Sequence, residues 1–362
     1  MPAGGAARGP LRAHLAPVAD IAALAAEWRA FEGGARASFF QSWTWTGCLA
    51  GERFSDPFLL RVSDAGHDVA LGLFNRRRFW GGRRFWLAEG GDPVGDAVFI
   101  EDNGLLLAES AVFQAREVIA AGLAAFGRKN LTLSGVDEAY RLAAGERFRL
   151  AATREAPFVD LARARSVAGG FLAGRSANTR YQLRRSQRSY AERGALTLER
   201  AADVGEAYGF LDALARLHQQ SWIARGRPGA FANPFFLRFH RELIARGHPR
   251  GEIDLLRVSA GGKAFAYLYN FLWRGEVASY QSGFDFASAL PHEKPGLTAH
   301  HLAIEHYAAQ GWEKYDFLAG ASRYKISLAD GTRTLYWLTS GGMSWLAWRR
   351  CWRGWRWPRR ET

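Results

Sequence analysis

The sequence predicts an α/β protein in which one fold occurs twice along the chain. Residues 59–63 read Leu-Leu-Arg-Val-Ser, and the same five letters return at 255–259, where each copy opens a β-hairpin. A helix, a glycine, a short strand and a second glycine follow one another over 115–135 and again over 300–320. Because both matches keep their order along the chain, tandem copies account for them better than chance does.

Length and composition agree with two folded domains. The chain has 362 residues, and its apolar content of 48% excludes a disordered protein. We expect a flexible N-terminus over 1–18, an N-terminal domain over 19–155, a C-terminal domain over 156–340 and a tail over 341–362.

The net charge indicates the class of partner, and the number of cysteines bears on the cellular compartment. A formal net charge of +13 predicts an anionic partner, either a phosphorylated cofactor, nucleic acid or an anionic membrane surface. The two cysteines, Cys48 and Cys351, are too few for a metal site or a disulfide framework. We find no signal peptide and no apolar span near 20 residues, so we expect a cytoplasmic protein.

The N-terminal copy contains the first helix and the first hairpin. The pattern predicts a helix over 20–30 with Asp20 as its N-cap. An aromatic strand or turn over 39–45 enters a second helix, and a hairpin follows over 58–75.

The C-terminal copy follows two long helices, one over 176–193 and one that starts near Asp203. Its hairpin covers 255–272, and the segment 279–285 is a strand that ends at a glycine, with Asp285 placed after it. A further helix then leads to a short buried strand over 315–318.

The two copies differ where chemistry would be located. Copy one has leucine and threonine at 131–132, where copy two has Asp316 and Phe317. No pair comparable to Tyr324 and Lys325 follows the glycine of copy one. Copy one therefore resembles a scaffold or substrate wall, and we expect the site in copy two.

Asp316 is an acid inside an otherwise apolar strand. Burying a carboxylate costs several kcal/mol unless the carboxylate is paired. We expect Lys325, across the glycine turn, to be its partner. A structural ion pair that braces the turn and a catalytic pair both fit these residues.

His218 and Trp222 are one helical turn apart and share a helix face. A basic, glycine-rich segment that begins with Arg225 follows them. His218 is a candidate general base, with a structural histidine as the alternative. We assign Trp222, Arg225, Tyr280 of the 279–285 strand and Asp285 at its end to substrate binding.

The segment Pro295, Gly296, Leu297 and Thr298 opens a helix, with Thr298 as the expected N-cap. A helix N-terminus attracts anions, so we assign these four residues to the pyrophosphate of a cofactor. The helix over 176–193 carries Arg180, Arg184 and Arg188 as one basic stripe, which is either a solvated face or a phosphate site.

The histidines of copy two do not have metal-site spacing. His292, His300, His301 and His306 lack the paired arrangement of a zinc helix, and His301 faces Glu305 instead, so we expect no metal. The chain also lacks a Walker loop, a strand–GxGxxG–helix unit and a G-x-S-x-G elbow, which leaves nucleotide hydrolysis, hydride transfer and serine hydrolysis unsupported.

The tail predicts an interfacial helix over 344–360. Trp345, Trp348, Trp352 and Trp355 share one face, and arginines occupy the adjoining face. We expect this helix to bind an anionic membrane surface; packing of the tryptophans onto the body is the alternative.

Taken together, the motifs at 217–226, 283–285, 295–296, 316–320 and 324–325 resemble the CelD-like group of the GNAT acyltransferase superfamily. That group is named for cellulose and exopolysaccharide biosynthesis and is related to the Fem-type peptidoglycan aminoacyltransferases. Some members resemble bacterial ceramide synthases, which acylate a sphingoid amine. The superfamily's Arg/Gln-x-x-Gly-x-Gly/Ala loop is not evident, and residues 295–298 occupy its place.

The resemblance implies two tandem GNAT folds, each a mixed, mostly antiparallel sheet flanked by helices. It also implies an acyl-CoA donor and an amine acceptor, here a lipid amine or a cell-envelope sugar precursor at the inner membrane. Asp316 or His218 would act as the base, Lys325 with a backbone N–H would stabilise the oxyanion, and Tyr324 would protonate the leaving thiolate.

Two alternatives belong to other classes of protein. One is a non-catalytic protein that helps an envelope assembly to dock at the membrane. The other is a Fem-like enzyme that uses aminoacyl-tRNA; we do not expect nucleic acid binding, because outside the tail no basic and aromatic residues interleave for base stacking.

Overall fold

The protein is represented by a computed structural model that describes residues 10–79, 82–92 and 98–341. The described residues form two units. Unit 1 comprises 10–153 and 334–341, and unit 2 comprises 154–333. Unit 2 is therefore inserted into the chain of unit 1.

The helices of unit 1 are α1 (Ile21–Gly33), α2 (Trp43–Arg53), α3 (Ala115–Ala124) and α4 (Glu138–Ala144). Its strands are β1 (Arg12–Pro17), β2 (Ala35–Arg36), β3 (Pro57–Asp64), β4 (His67–Phe79), β5 (Gly82–Leu87), β6 (Leu106–Ala108) and β7 (Asn130–Val136). Strand β8 (Phe148–Asp160) leads from unit 1 into unit 2.

The helices of unit 2 are α5 (Leu161–Ser166), α6 (Gly170–Ala173), α7 (Ala177–Ala191), α8 (Val204–Ile223), α9 (Pro234–Gly247), α10 (Pro295–Ala309) and α11 (Arg323–Leu328). Its strands are β9 (Leu196–Arg200), β10 (Ile253–Ala260), β11 (Lys263–Trp273), β12 (Glu276–Phe284) and β13 (Lys314–Asp316). Strand β14 (Gly331–Ser340) returns the chain to unit 1.

The strands of the two units share one pattern of pairing. The order is β1-β3-β4-β5-β7-β14 in unit 1 and β9-β10-β11-β12-β13-β8 in unit 2. In each order the fourth and fifth strands are parallel, and all other neighbours are antiparallel. This agreement confirms the predicted fold class, an α/β protein with a duplicated, mixed and mostly antiparallel sheet flanked by helices.

The repeated pentapeptide folds in the same way twice. In both hairpins the two turn residues have left-handed φ angles, which lie between 47° and 87° for Ala65, Gly66, Gly261 and Gly262. Such turns match the twist of the strands that they join, which is why glycine recurs there. The register also shifts between the valine and the serine of each pentapeptide, so even the irregularity is repeated.

The predicted helix starts are confirmed by their caps. The carboxylate of Asp20 accepts hydrogen bonds from the first turn of α1, and Asp203 does the same for α8. Ser176 caps α7. Each cap satisfies a backbone N–H that has no partner inside its helix.

Three local expectations are corrected. Residues 12–17, assigned to a flexible terminus, form β1 and pair with β3. Residues 39–41 form a 3-10 helix that leads into α2. The strand expected over 315–318 ends at Asp316, because the chain turns at Leu318, whose φ angle is 57°.

Helix α10 is the central helix of unit 2. The seven residues from Pro295 to His301 are all buried, so the helix lacks a polar face along its first two turns. It packs in one hydrophobic cluster with Leu183 of α7 and Tyr315 of β13. Polar side chains on its first turns are consequently enclosed by protein.

The expected membrane-binding helix over 344–360 lies outside the described residues. Among the helices that the structure describes, none has the length and apolar character needed to cross a bilayer.

Candidate active site

The parallel strands β12 and β13 run together for only three residues. Glu276 to Ala278 pair with Lys314 to Asp316, and β13 then ends. Strand β12 continues to Phe284, paired with β11 along its other edge. Within the described part of unit 2, the edge of β12 beyond Ala278 therefore has no strand beside it.

Strand β12 also carries a β-bulge at Tyr280. Ser279 lies opposite Asn270 and Gln281 lies opposite Tyr269, so Tyr280 is the extra residue. Its side chain packs on α9 and β11, with ring centroids 5.0 Å from His240 and 4.7 Å from Phe271. Tyr280, predicted to bind substrate, thus belongs to an aromatic cluster on that side of the strand.

Helix α8 lies directly against the end of β12. A Cβ atom on Gly283 would come within 2.6 Å of the carbonyl oxygen of Leu214, so only glycine allows this approach. His218 lies one turn after Leu214 on the same face of α8. The close approach therefore places His218 beside the open end of the strand.

His218 is buried beside Trp222, with ring centroids 5.6 Å apart. Burial, with a smaller effect of the positive charge of Arg225, lowers the pKa of His218 to about 4. Arg225 itself is exposed, just after the end of α8. The imidazole is consequently neutral at physiological pH.

The carboxylate of Asp316 is held by its neighbours. It accepts a hydrogen bond from the backbone N–H of Leu318 at 2.7 Å and one from Nε of Arg333 at 2.9 Å. The ammonium of Lys314 lies 3.7 Å away. The expected pairing with Lys325 is wrong, because Arg333 and Lys314 take that place.

Lys325 turns to the backbone instead. Its ammonium donates to the carbonyl oxygen of Phe317 at 2.7 Å. That carbonyl belongs to the turn between β13 and α11, so the contact fixes the charge of Lys325 at the end of β13.

Tyr324, next to Lys325, stacks on His300 of α10. The ring centroids are 5.4 Å apart and the planes differ by 18°. Burial raises the pKa of Tyr324 to about 12. The positive charge of Arg225 favours deprotonation of both His218 and Tyr324. Arg225 therefore lies within electrostatic range of both residues, one on α8 and one on α11.

His300 is a site residue that sequence reasoning missed, because it was weighed only as a metal ligand. Its Nδ1 lies 2.9 Å from the hydroxyl of Tyr315, which in turn is hydrogen-bonded to Ser279. The Nε2 atom is buried without a hydrogen-bond partner. Burial lowers the pKa of His300 to about 3, and the charge of Lys325 adds to this effect.

The start of α10 differs from the expected cap. Pro295 is the first helical residue and Lys294 is the N-cap, without a side-chain capping bond. The hydroxyl of Thr298 instead lies 2.7 Å from that of Ser186, which also accepts from the N–H of Lys294. Thr298 therefore ties α10 to α7 and is not the N-cap.

Gly296 and Leu297 complete the first turn of α10, and both are buried. The approach of Gly296 to the ring of Phe284 brings the helix start next to the end of β12. Asp285 accepts from the N–H of Ser288 at 3.0 Å and so shapes the loop before α10.

Helix α7, which packs beside α10, carries several basic side chains. Arg184 and Arg188 of the predicted stripe are exposed on α7, whereas Arg180 donates to the carbonyl of Arg175. Arg185 lies 2.8 Å from His292, three residues before the start of α10. In the described part of the chain, no group of three or more His, Cys, Asp or Glu residues is placed to hold a metal ion.

The structure therefore places most of the predicted site residues in two groups. Lys325, Tyr324 and His218 converge on the open edge of β12, with His300 added to them. The first turn of α10 forms the other part, at the same end of the strand. Asp316, Asp285 and Tyr280 have contacts that fit structural support of these parts.

Comparison with known proteins gives one family match, which falls in unit 2. Residues 177–326 match the family model described as an acetyltransferase (GNAT) domain. A search of curated proteins gives no significant match.

Several solved structures share the fold. L-PGS from Bacillus licheniformis superposes with a TM-score of 0.56 at 14% identity, covering 90% of this chain and 95% of that one. FemX gives a TM-score of 0.56 at 9% identity, covering 87% and 95%. A conserved protein of unknown function from Bacteroides thetaiotaomicron gives 0.52 at 12% identity, covering 91% and 100%. At these identities the likeness establishes the fold alone.

The matched segment lies within unit 2 and contains every residue that the sequence assigned to catalysis, substrate or cofactor. Residues 177–326 thus match an acetyltransferase (GNAT) domain, in a chain of duplicated α/β architecture.

Proposed function

We propose that unit 2 transfers an acyl group from an acyl thioester, normally an acyl-CoA, to an amine nitrogen. The observation that carries this proposal is the open edge of β12 beyond Ala278. Lys325, Tyr324, His218 and His300 lie at this edge, which leads to the start of α10. A strand edge offers backbone groups to the amides of an extended donor. The match to an acetyltransferase (GNAT) domain supports the same reaction class.

The donor phosphates would lie at the first turn of α10. Helix N-termini favour anions, and Arg185 beside His292 adds a guanidinium at this position. The usual loop motif of the superfamily is absent, so the segment 285–294 and α7 would supply these contacts.

The reaction has three proton and charge requirements. The amine attacks the thioester carbonyl, and the carbonyl oxygen becomes an oxyanion. The attacking nitrogen then loses a proton, the C–S bond breaks, and the charge of the leaving thiolate must be stabilised until solvent protonates it. We assign each requirement to a group at the open strand edge.

The oxyanion would be stabilised by Lys325 and His300. A neutral imidazole can donate only one hydrogen bond, and its direction depends on its tautomer. If the Tyr315 hydroxyl donates to Nδ1, then Nε2 carries the proton and faces the site as a donor. The low pKa of His300 suits a donor rather than a base.

His218 is the better candidate for the base. The oxygens of Asp316 already accept from Leu318 and Arg333, whereas the neutral imidazole of His218 can take a proton from the nitrogen once attack has made it acidic. Tyr324, with its raised pKa, would keep its proton and stabilise the thiolate by a hydrogen bond, since a thiol is the stronger acid.

The proposed acceptor is an amine-bearing lipid such as a sphingoid base, with a cell-envelope sugar precursor as the second choice. Apolar side chains are exposed on segments that flank the site, namely Ile223, Phe286, Leu290 and Ile326. They suit an acceptor with a hydrocarbon part. The tail over 344–360 would hold the enzyme at the cytoplasmic face of the inner membrane.

The test is a free-thiol assay with acetyl-, octanoyl- and palmitoyl-CoA, each with a sphingoid base or an amino sugar. Thiol release that requires both an acceptor and Lys325 would support N-acyl transfer. If no donor gives release, with or without anionic vesicles, the proposal is wrong and a non-catalytic docking protein is favoured.

A Fem-like enzyme is the second candidate, because FemX shares the fold and the chain is strongly basic. Aminoacyl transfer from charged tRNA, with steep salt dependence and no response to CoA, would favour it over the first proposal.

A further inference from the structure

Unit 1 contains a cavity of about 230 Å³ whose lining is strongly basic. The lining residues are Ser55, Asp56, Arg76, Arg77, Arg78 and Arg83. Four arginines and one aspartate therefore line the cavity. None of these residues takes part in the acyl-transfer proposal, which concerns unit 2.

The cavity follows from the unequal lengths of β3 and β4. The pairing of β3 with β4 ends at Pro57 and Asn75, so the last residues of β4 pair only with β5. There Arg78 lies opposite Arg83. Like charges at directly opposed positions destabilise an antiparallel pair, and an anion between them would offset that cost.

Two acidic side chains already neutralise part of this positive charge and hold the paired arginines in place. Arg76 donates to Asp56 at 2.6 Å, and its guanidinium lies 4.5 Å from the ring centroid of Phe58. Arg77 pairs with Asp92 at 3.2 Å, a carboxylate that Arg53 also contacts. Asp56 and Asp92 thus serve three arginines.

The other two arginines of the lining are Arg78 and Arg83. Both are exposed, and among the described residues neither has an acidic partner within ion-pair distance. The described lining carries four arginines and one aspartate, which is an excess of three positive charges. This excess matches the charge of a diphosphate better than that of a carboxylate.

We propose that this cavity binds the phosphate groups of an anionic ligand, with Arg78 and Arg83 as the two guanidinium groups that close on it. Guanidinium forks match phosphate oxygens in geometry as well as in charge. The volume equals about eight waters at about 30 Å³ each, which is room for a diphosphate. The ligand is either a soluble phosphate ester or a phospholipid headgroup.

The test uses the full chain and inorganic pyrophosphate in titration calorimetry. The double variant Arg78→Gln/Arg83→Gln should lose one binding event, or weaken it at least tenfold. The control Arg116→Gln/Arg149→Gln removes the same charge from exposed positions of unit 1 and should change affinity less than twofold. Arg185→Gln in unit 2 should leave this event intact, which separates it from any phosphate site at α10.

Vesicles of phosphatidylcholine with and without phosphatidylglycerol identify the source. Loss of phosphatidylglycerol binding in the double variant, without any pyrophosphate event in the parent protein, would assign the cavity to a headgroup. If the double variant matches the control in both titrations while its thermal unfolding is unchanged, the cavity binds no phosphate and the inference fails.

Discussion

Of the two imidazole nitrogens of His300, Nδ1 lies beside the hydroxyl of Tyr315, and Nε2 has no hydrogen-bond partner among the described residues. Nδ1 is 2.9 Å from the Tyr315 oxygen, and Nε2 is buried. A buried nitrogen without a partner costs roughly 1–3 kcal/mol, which an unliganded site can carry only if another part of the fold compensates. The arrangement suggests that a ligand completes the hydrogen bonding of His300.

The first prediction concerns that nitrogen. His300→Phe keeps a ring against Tyr324 but removes the hydrogen bond to the oxyanion, so kcat should fall about a hundredfold with little change in KM. Steady-state kinetics with the acyl-CoA found active in the thiol assay measure this.

Tyr315→Phe is the matched control for the tautomer. It removes the hydroxyl that would donate to Nδ1, so kcat should fall while the fold persists, and nitrogen-15 NMR should show the proton redistributed between the two imidazole nitrogens. An unchanged kcat in His300→Phe would leave His300 a purely structural residue.

The second prediction concerns Lys325. Lys325→Ala removes a charge held at the Phe317 carbonyl, and turnover should fall about a hundredfold. Lys325→Arg keeps the charge but changes its geometry, so an intermediate rate is expected. Should Lys325→Ala lower the melting temperature and spare turnover, its role is to brace the turn.

The third prediction separates Asp316 from catalysis. Asp316→Asn removes the buried carboxylate that pairs with Arg333, while Lys314 keeps Glu276 at 2.8 Å; breaking a buried pair costs about 3–5 kcal/mol. Urea unfolding should show a loss of this order. The exposed pair of Glu242 and Arg246 provides the control, since Glu242→Gln should barely move the midpoint.

Activity of the folded Asp316→Asn protein decides its role. Under conditions where the variant is fully folded, its kcat should lie within a few-fold of the parent value. A hundredfold loss in that folded protein would restore Asp316 as the general base.

The fourth prediction follows from the low pKa of His218. The folded pKa, about 4, lies below the value of about 6.5 in an unfolded chain, so the unfolded state binds more protons between these pH values. The free energy of unfolding should therefore fall as the pH drops from about 6.5 toward 4, and this contribution is fully present above 6.5.

His218→Gln should flatten part of that dependence. Between pH 7 and 5 the variant should lose about 2 kcal/mol less than the parent protein, as measured by urea unfolding at both pH values. Burial lowers the pKa of His300 and His240 as well, so some dependence should remain. Parallel curves for variant and parent would contradict the assigned shift.

The hairpins and helix starts could be predicted because their causes are local. Turn glycines after residues 59–63 and 255–259, and capping residues such as Asp20 and Asp203, act on the backbone within three or four residues. The start of α10 was also readable in this way, since Pro295 favours the first helical position and therefore marks Lys294, not Thr298, as the cap.

The two partners of Asp316 differ in how far the sequence could predict them. Lys314 precedes it by two residues and so shares its face of the strand, a relation that alternation alone could have indicated. Arg333, however, comes from β14, and nothing in the sequence fixes which strand segment passes that carboxylate. His300 likewise depends on Tyr315 and Ser279 from two different strands.

The insertion of unit 2 into unit 1 bears on how the chain is made. Strand β7 of unit 1 gains its neighbour β14 only from residues that follow unit 2. During synthesis the β7 edge of unit 1 therefore stays unpaired until unit 2 and β14 have been translated. A protein truncated at Arg333 would keep the acyltransferase segment but leave the β7 edge free to pair with other chains, and we expect it to aggregate.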